Sequence, residues 1–212
     1  MSIEKKSKFI TVLYSGIAGT VSYLIGGLLA TILILLTDQY LLAIPLSGLL
    51  GGMLLAVFIR KWNQIGRFTL AGVISVSVGF LGTFIICEGI FSLIGMFTDV
   101  FSGRIANVIS ISLMGVVFGI IFSLIVYGKK ALLLFAVVCG VIEIPCIFLA
   151  EKVYSIEPLN NLITKYGLVD VNLLFIVLGF GIGAGFSIGL LKVSGKDEIR
   201  SHSSDSSNKE EI

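Results

Sequence analysis

Glu143 is the residue whose type and setting most plainly promise chemistry. It lies inside a long apolar run, two residues before Pro145. A carboxyl within a membrane span is costly unless it is protonated or paired, and such groups mark proton relays, ion pathways and binding sites. Pro145 has no amide hydrogen, so the carbonyl of Val141, four residues back, loses its helical partner. A kink with a free carbonyl beside a carboxyl would suit a proton or a cation. Ser110 and Ser112, at similar depth on the preceding span, are its expected neighbours. The structural alternative is a protonated glutamic acid hydrogen-bonded inside a bundle for packing specificity.

A second group sits at the opposite end of the spans from the chain termini. Glu88 and Glu151 fall at helix ends, with Arg104 and Asn107 at the start of another helix, so the four could line an external vestibule. They could equally be solvated helix ends. The other reactive types offer little. Cys87, Cys139 and Cys146 all lie in apolar segments without a CxxC spacing, which argues for buried packing and against disulfides or zinc. The sole histidine, His202, lies in a polar tail, so no serine–histidine pair or HExxH site can form within the spans. These residues call for no metal and no cofactor, and no enzyme is expected. No GxxxxGK[ST] loop is present, so an ATP-driven step would need a separate ATPase subunit.

The elements that must position these residues follow from composition. Of 212 residues, 56% are hydrophobic and 13% charged, about half the charge of a soluble domain. That excludes a soluble enzyme, a nucleic-acid-binding domain and a disulfide-stapled module. Six apolar runs, at about 9–36, 41–59, 68–87, 105–127, 131–150 and 171–193, each approach or exceed the roughly 20 residues that cross a bilayer as a helix. They are continuously apolar, not alternating, so an all-α bundle is expected in preference to a barrel. The first run is too long for a signal-peptide core. The stretch 89–97 is apolar but short, which suits an interfacial or re-entrant segment, and 158–166 suits a short surface helix. Residues 194–212 read as a disordered cytoplasmic tail.

Basic residues set the orientation. Lys5, Lys6, Lys8, Arg60, Lys61, Arg67, Lys129, Lys130, Lys192, Lys196, Arg200 and Lys209 fall on one side, and only Arg104, Lys152 and Lys165 on the other. The positive-inside rule then puts both termini in the cytoplasm and the protein in the cytoplasmic membrane. Trp62 and Tyr127 would join an inner aromatic belt and Tyr40 an outer one.

Glycines recur four apart: Gly48 and Gly52, Gly115 and Gly119, and Gly181, Gly185 and Gly189. Such spacing puts them on one helix face, where backbones can approach closely. A sliding surface or a backbone-lined pore is the alternative. The chain also reads as three two-helix units starting at Lys8, Arg67 and Lys130, at offsets of 59 and 63 residues. Glu88 and Glu151 each lie 21 residues into their unit, where the first has Leu29. Parallel units would allow a pseudo-threefold axis along the membrane normal. The mitochondrial carriers share that plan, but their Pro-x-Asp/Glu-x-x-Lys/Arg motif does not occur here.

The run from Gly140 to Ala150, GVIEIPCIFLA, resembles the HG-x-x-E-x-P-A segment of stage II sporulation protein M-like membrane proteins. Cys139 stands where that segment has histidine and Cys146 where it has alanine. The likeness covers only this run, and the family's asparagine-containing stretch upstream is not evident.

The expectation is therefore a six-helix membrane protein, partnered by the lipid bilayer and without nucleic acid. It would act as a small transporter-like module of unspecified substrate, or as the membrane subunit of a larger complex. A non-transporting accessory or scaffold protein is the second reading. Polar residues lining one face of several helices would favour transport; an interior of only Gly, Ala, Leu and Phe would favour a scaffold.

Overall fold

A computed structural model describes residues 3–37, 39–83, 85, 89, 104–157 and 171–195. Among the described residues all regular structure is helical and no strand occurs. The helices are α1 (Ile3–Thr37), α2 (Tyr40–Phe58), α3 (Ile65–Ser77), α4 (Arg104–Val126), α5 (Leu132–Ser155) and α6 (Val171–Val193). α3 continues through a π-helical turn, Val78–Gly82. Six helices are long and apolar enough to cross a membrane. Their backbone groups pair within each helix, which lipid demands because it offers no hydrogen bonds. α1, at 35 residues, is roughly 50 Å long and exceeds a hydrocarbon core of about 30 Å. It must tilt or protrude, and its first described side chains, including Lys5, Lys6 and Lys8, are exposed.

The helices close into a ring in chain order. Each packs on the next, and α6 packs back on α1 in the most extensive interface of all. Neighbours run antiparallel, so the start of α1, the end of α6 and both short hairpins lie at one end of the bundle. Those hairpins are built alike. α2 ends with the Lys61 amide donating to the Ala56 carbonyl at 2.8 Å, and α4 with the Gly128 amide donating to the Ser123 carbonyl at 2.7 Å. A 3₁₀ turn follows in each, Trp62–Gln64 and Lys129–Ala131. A residue with positive φ reverses the chain each time, Arg60 at 62° and Gly128 at 77°. Gly128 adopts that angle freely, whereas Arg60 holds it against a cost of roughly 1–2 kcal/mol.

Close helix crossings are made at glycines. A Cβ on Gly48 would meet the Gly72 carbonyl, and one on Gly52 the Phe68 carbonyl, so α2 and α3 touch backbone to backbone. A Cβ on Gly115 would stand 2.7 Å from the Cys139 carbonyl oxygen, and one on Gly119 would meet the Phe135 carbonyl, bringing α4 onto α5. Between α6 and α1, Gly181, Gly185 and Gly189 lie against Gly19, Ser15 and Val12. Lipid tails are as apolar as leucine, so helix association depends on such close packing.

Aromatic rings fill the interior at the level of the hairpins and above. Phe118 and Phe180 stack with centroids 4.4 Å apart, Tyr23 meets Phe118 edge-on at 5.9 Å, and Phe122 stacks on Phe135 at 5.9 Å. Pairs of this kind contribute about 0.5–1.5 kcal/mol each beyond burial. Tyr127 belongs to this cluster, packed on Phe68 and Phe135. It is buried, so it is not part of an interfacial belt; Trp62 is exposed. The side chain of Tyr40, the segments 90–97 and 158–166, and residues 196–212 lie outside the described residues.

Replacing Gly185 with alanine should lower stability by about 1–3 kcal/mol, because the added methyl would meet the rigid Ser15 carbonyl. Gly66 on α3 has nothing within 4 Å of its would-be Cβ. Gly66→Ala should leave stability unchanged or raise it by up to about 1 kcal/mol. Thermal unfolding in detergent distinguishes the two.

Candidate functional site

Hydroxyls in lipid-buried helices have an easy way to satisfy themselves, by donating to a carbonyl one turn back. Thr20 donates to the Gly16 carbonyl at 2.8 Å, Ser22 to Ala18 at 2.6 Å and Thr31 to Gly27 at 2.9 Å. Ser47 and Ser123 do the same three residues back. Against that background the exceptions stand out. Ser15, Tyr23, Ser75, Thr83, Ser112, Glu143 and Ser187 carry buried side-chain oxygens with no hydrogen-bond partner. Buried groups left this way each cost about 1–3 kcal/mol.

Glu143 is the one acid among them. It is fully buried, and both carboxyl oxygens lack partners. The side chain runs through a slot between α4 and α6. A Cβ on Gly115 would stand 2.6 Å from its Cγ, and one on Gly179 would stand 2.5 Å from Oε1. Any larger residue at either glycine would occupy space the glutamate now fills. One turn along α5, Cys139 is fully buried, with its Sγ 2.9 Å from where a Cβ of Gly183 would be. The Cys139 thiol lies within electrostatic range of Glu143 and of the Tyr23 hydroxyl on α1. The Ser187 hydroxyl on α6 approaches the same thiol without closing a hydrogen bond of ordinary geometry. Cys146, also buried, flanks Glu143 on its other side.

α6 makes this arrangement possible by having two glycine rows. Gly181, Gly185 and Gly189 face α1, while Gly179 and Gly183 face α5. Positions two apart on a helix are about 200° apart, so interleaved rows serve opposite neighbours. α6 is thereby wedged between α1 and α5, and the groups of those helices converge beside it.

The other sequence-based candidates fall differently. Pro145 and Val141 lie on the exposed face of α5, Val141 at 57%, opposite the inward-pointing Glu143. The proline-freed carbonyl and the carboxyl are thus on different sides of one helix, and the structure does not bring them together. Ser112 has its backbone carbonyl 3.3 Å from where a Cβ of Gly140 would stand, at the α4–α5 contact, and Ser110 is half-buried on α4. Of the vestibule group, Glu151 is half-buried near the end of α5. Glu88 and the side chains of Arg104 and Asn107 lie outside the described residues. Among the described residues no three histidine, cysteine or acidic side chains group as a metal site. Tyr23, Ser187 and Gly179 were not singled out from sequence. Only Gly179 left a local trace, as the head of the second glycine row.

Gly179→Ala alone should destabilise the bundle, and Glu143→Ala should relieve that loss by vacating the slot. A double-mutant cycle on thermal unfolding should give a coupling of roughly 0.5–3 kcal/mol between them; additive effects would show that the two do not share the slot. No family model matches the chain, and no curated protein or solved structure matches it.

Proposed function

We propose that this chain is a small transporter-like membrane module, acting alone or as the membrane subunit of a larger assembly, with Glu143 as its proton- or cation-responsive group. The observation that carries this reading is a carboxyl whose two oxygens are fully buried and unpartnered, lodged between Gly115 of α4 and Gly179 of α6. A glutamate kept for packing specificity alone would be expected to have its hydrogen bonds made. An intramembrane carboxyl left open is suited to exchange a proton or an ion. The scaffold alternative calls for an interior of Gly, Ala, Leu and Phe only. Buried Ser15, Tyr23, Cys139, Glu143 and Ser187 weigh against it.

The orientation belongs to the same proposal. Lys5, Lys6, Lys8, Arg60, Lys61, Arg67, Lys129, Lys130 and Lys192 cluster at the end of the bundle with the termini, which supports a cytoplasmic position for that end. So does a threefold repeat. On α3, Phe68, Gly72 and Val76 meet the glycines of α2; on α5, Phe135, Cys139 and Glu143 meet those of α4; on α1, Ser15, Gly19 and Tyr23 meet those of α6. Gly26 against Ser47 and Gly51 is matched by Gly79 against Met114 and Phe118. These contacts relate α2–α3 to α4–α5 at 67 residues, from Gly48 to Gly115 and from Phe68 to Phe135, in place of the offsets of 59 and 63. In this register Glu143 is equivalent to Val76 and Tyr23, all three fully buried. Only one of three matching positions carries the carboxyl, so the repeat supplies a scaffold and Glu143 the specialisation.

In liposomes with an imposed pH or Na⁺ gradient, the full chain should dissipate the gradient. Glu143→Gln should do so at least about tenfold more slowly, with an unchanged melting temperature. Equal rates would sink the proposal. Separately, a membrane-impermeant thiol reagent should label Asn160→Cys in intact cells and Ser203→Cys only after lysis; the reverse pattern would invert the topology.

A further inference from the structure

The hairpin between α2 and α3 carries a strain that its counterpart avoids. The residue with positive φ is Gly128 in one hairpin and Arg60, at 62°, in the other. Glycine at position 60 would relax the backbone, so what the chain keeps there is the side chain. Backbone strain of this kind gathers at sites that bind or react. Arg60 is exposed, and with Lys61, Trp62, Asn63 and Gln64 it lines an open pocket of about 250 Å³. From Phe58 to Arg67 the chain carries Arg60, Lys61 and Arg67 and no acid. A guanidinium beside an ammonium, with an amide side chain at hand, is a setting for a phosphate group.

An apolar groove begins at the same level. Tyr14, Ile17, Ala18 and Val21 fall three and four apart on α1, and with Phe58 of α2 they line a furrow of about 160 Å³. Ala18 is buried while Tyr14, Ile17 and Val21 are exposed, so the small alanine sets its depth. The Tyr14 hydroxyl donates to the Phe58 carbonyl at 2.8 Å, which ties α1 to the end of α2 here. From Tyr14 to Val21 the groove follows α1 for about 10 Å, away from the end with the termini and into the spanning region. Phe58 of the groove and Arg60 of the pocket are two residues apart, so their Cα atoms are at most about 7 Å apart. Trp62, 60% exposed, is a residue type that settles at headgroup level.

We infer that this corner of the bundle binds one anionic phospholipid, its phosphate at Arg60 and Lys61 and one acyl chain along the groove from Phe58 to Val21. A free phosphate ion would use the pocket and leave the groove empty. A lipid uses both, and the order of the two with depth, charge at the hairpin and apolar surface below it, is the order of its own parts. A zwitterionic lipid also carries phosphate, but its ammonium offsets the charge that the basic pair attracts, so an anionic headgroup such as that of phosphatidylglycerol is selected. The inference needs only that the chain lies in a bilayer and is independent of the role of Glu143.

Trp62 is the sole tryptophan of the chain and stands in the pocket, so its fluorescence reports on the site directly. The full chain is placed in phosphatidylcholine vesicles, and phosphatidylglycerol with brominated acyl chains is added in steps. Quenching by it should exceed that by brominated phosphatidylcholine, with a relative affinity of at least about fivefold. Arg60→Gly should lower that preference about fivefold while the melting temperature holds or rises, because glycine suits the backbone there. A side chain kept only for the fold would give the opposite pair of results. Ile17→Ala, which removes one wall of the groove, should lower the preference about threefold. Inorganic phosphate at constant ionic strength should leave it unchanged. Equal quenching by the two lipids, or a preference that survives Arg60→Gly, overturns the site. Loss of the preference in inorganic phosphate makes the ligand a free ion and overturns the lipid, and indifference to Ile17→Ala overturns the groove as the seat of its chain.

Discussion

A helix bundle in lipid gains nothing from hiding leucine, because the solvent is as apolar as the side chain. In this one several helices approach backbone to backbone, and such contact needs positions without a Cβ. Gly48, Gly52, Gly72, Gly119, Gly181 and Gly185 each stand where a Cβ would run into a carbonyl of the next helix. The ring of six helices, the depth of its aromatic filling and the narrowness of its seams all depend on these approaches.

The seat of Glu143 uses the same device for a different purpose. Gly115 and Gly179 leave room for a long polar side chain where most helix crossings leave room for a backbone. Cys139 lies one turn along the same helix, and the hydroxyls of Tyr23 and Ser187 are buried without a hydrogen-bond partner. Several other hydroxyls in the bundle, those of Thr20, Ser22 and Thr31 among them, turn back onto their own helices.

Three of the helix crossings are made at glycines, and the side chains beside those glycines differ. Val76 lies against Gly48 where α2 crosses α3, Glu143 against Gly115 where α4 crosses α5, and Tyr23 against Gly181 where α6 crosses α1. Val76 closes one crossing with an aliphatic group, Tyr23 brings a hydroxyl, and Glu143 brings the acid.

Composition and periodicity determined the class of this protein. Six runs of membrane length, basic residues on one side and glycines four apart are local properties, and lipid converts them into helices because no other backbone arrangement satisfies itself there. Glu143 was legible as an intramembrane acid for the same reason. Its partners were not. Pro145 is near it in sequence but two positions round the helix, and so faces away, while Gly115 and Gly179, which leave room for its side chain, lie far off in the chain on α4 and α6. Which faces meet is set by the rotation of each helix within the ring. That rotation is fixed by backbone contacts at glycines on neighbouring helices, and only the tertiary structure decides it.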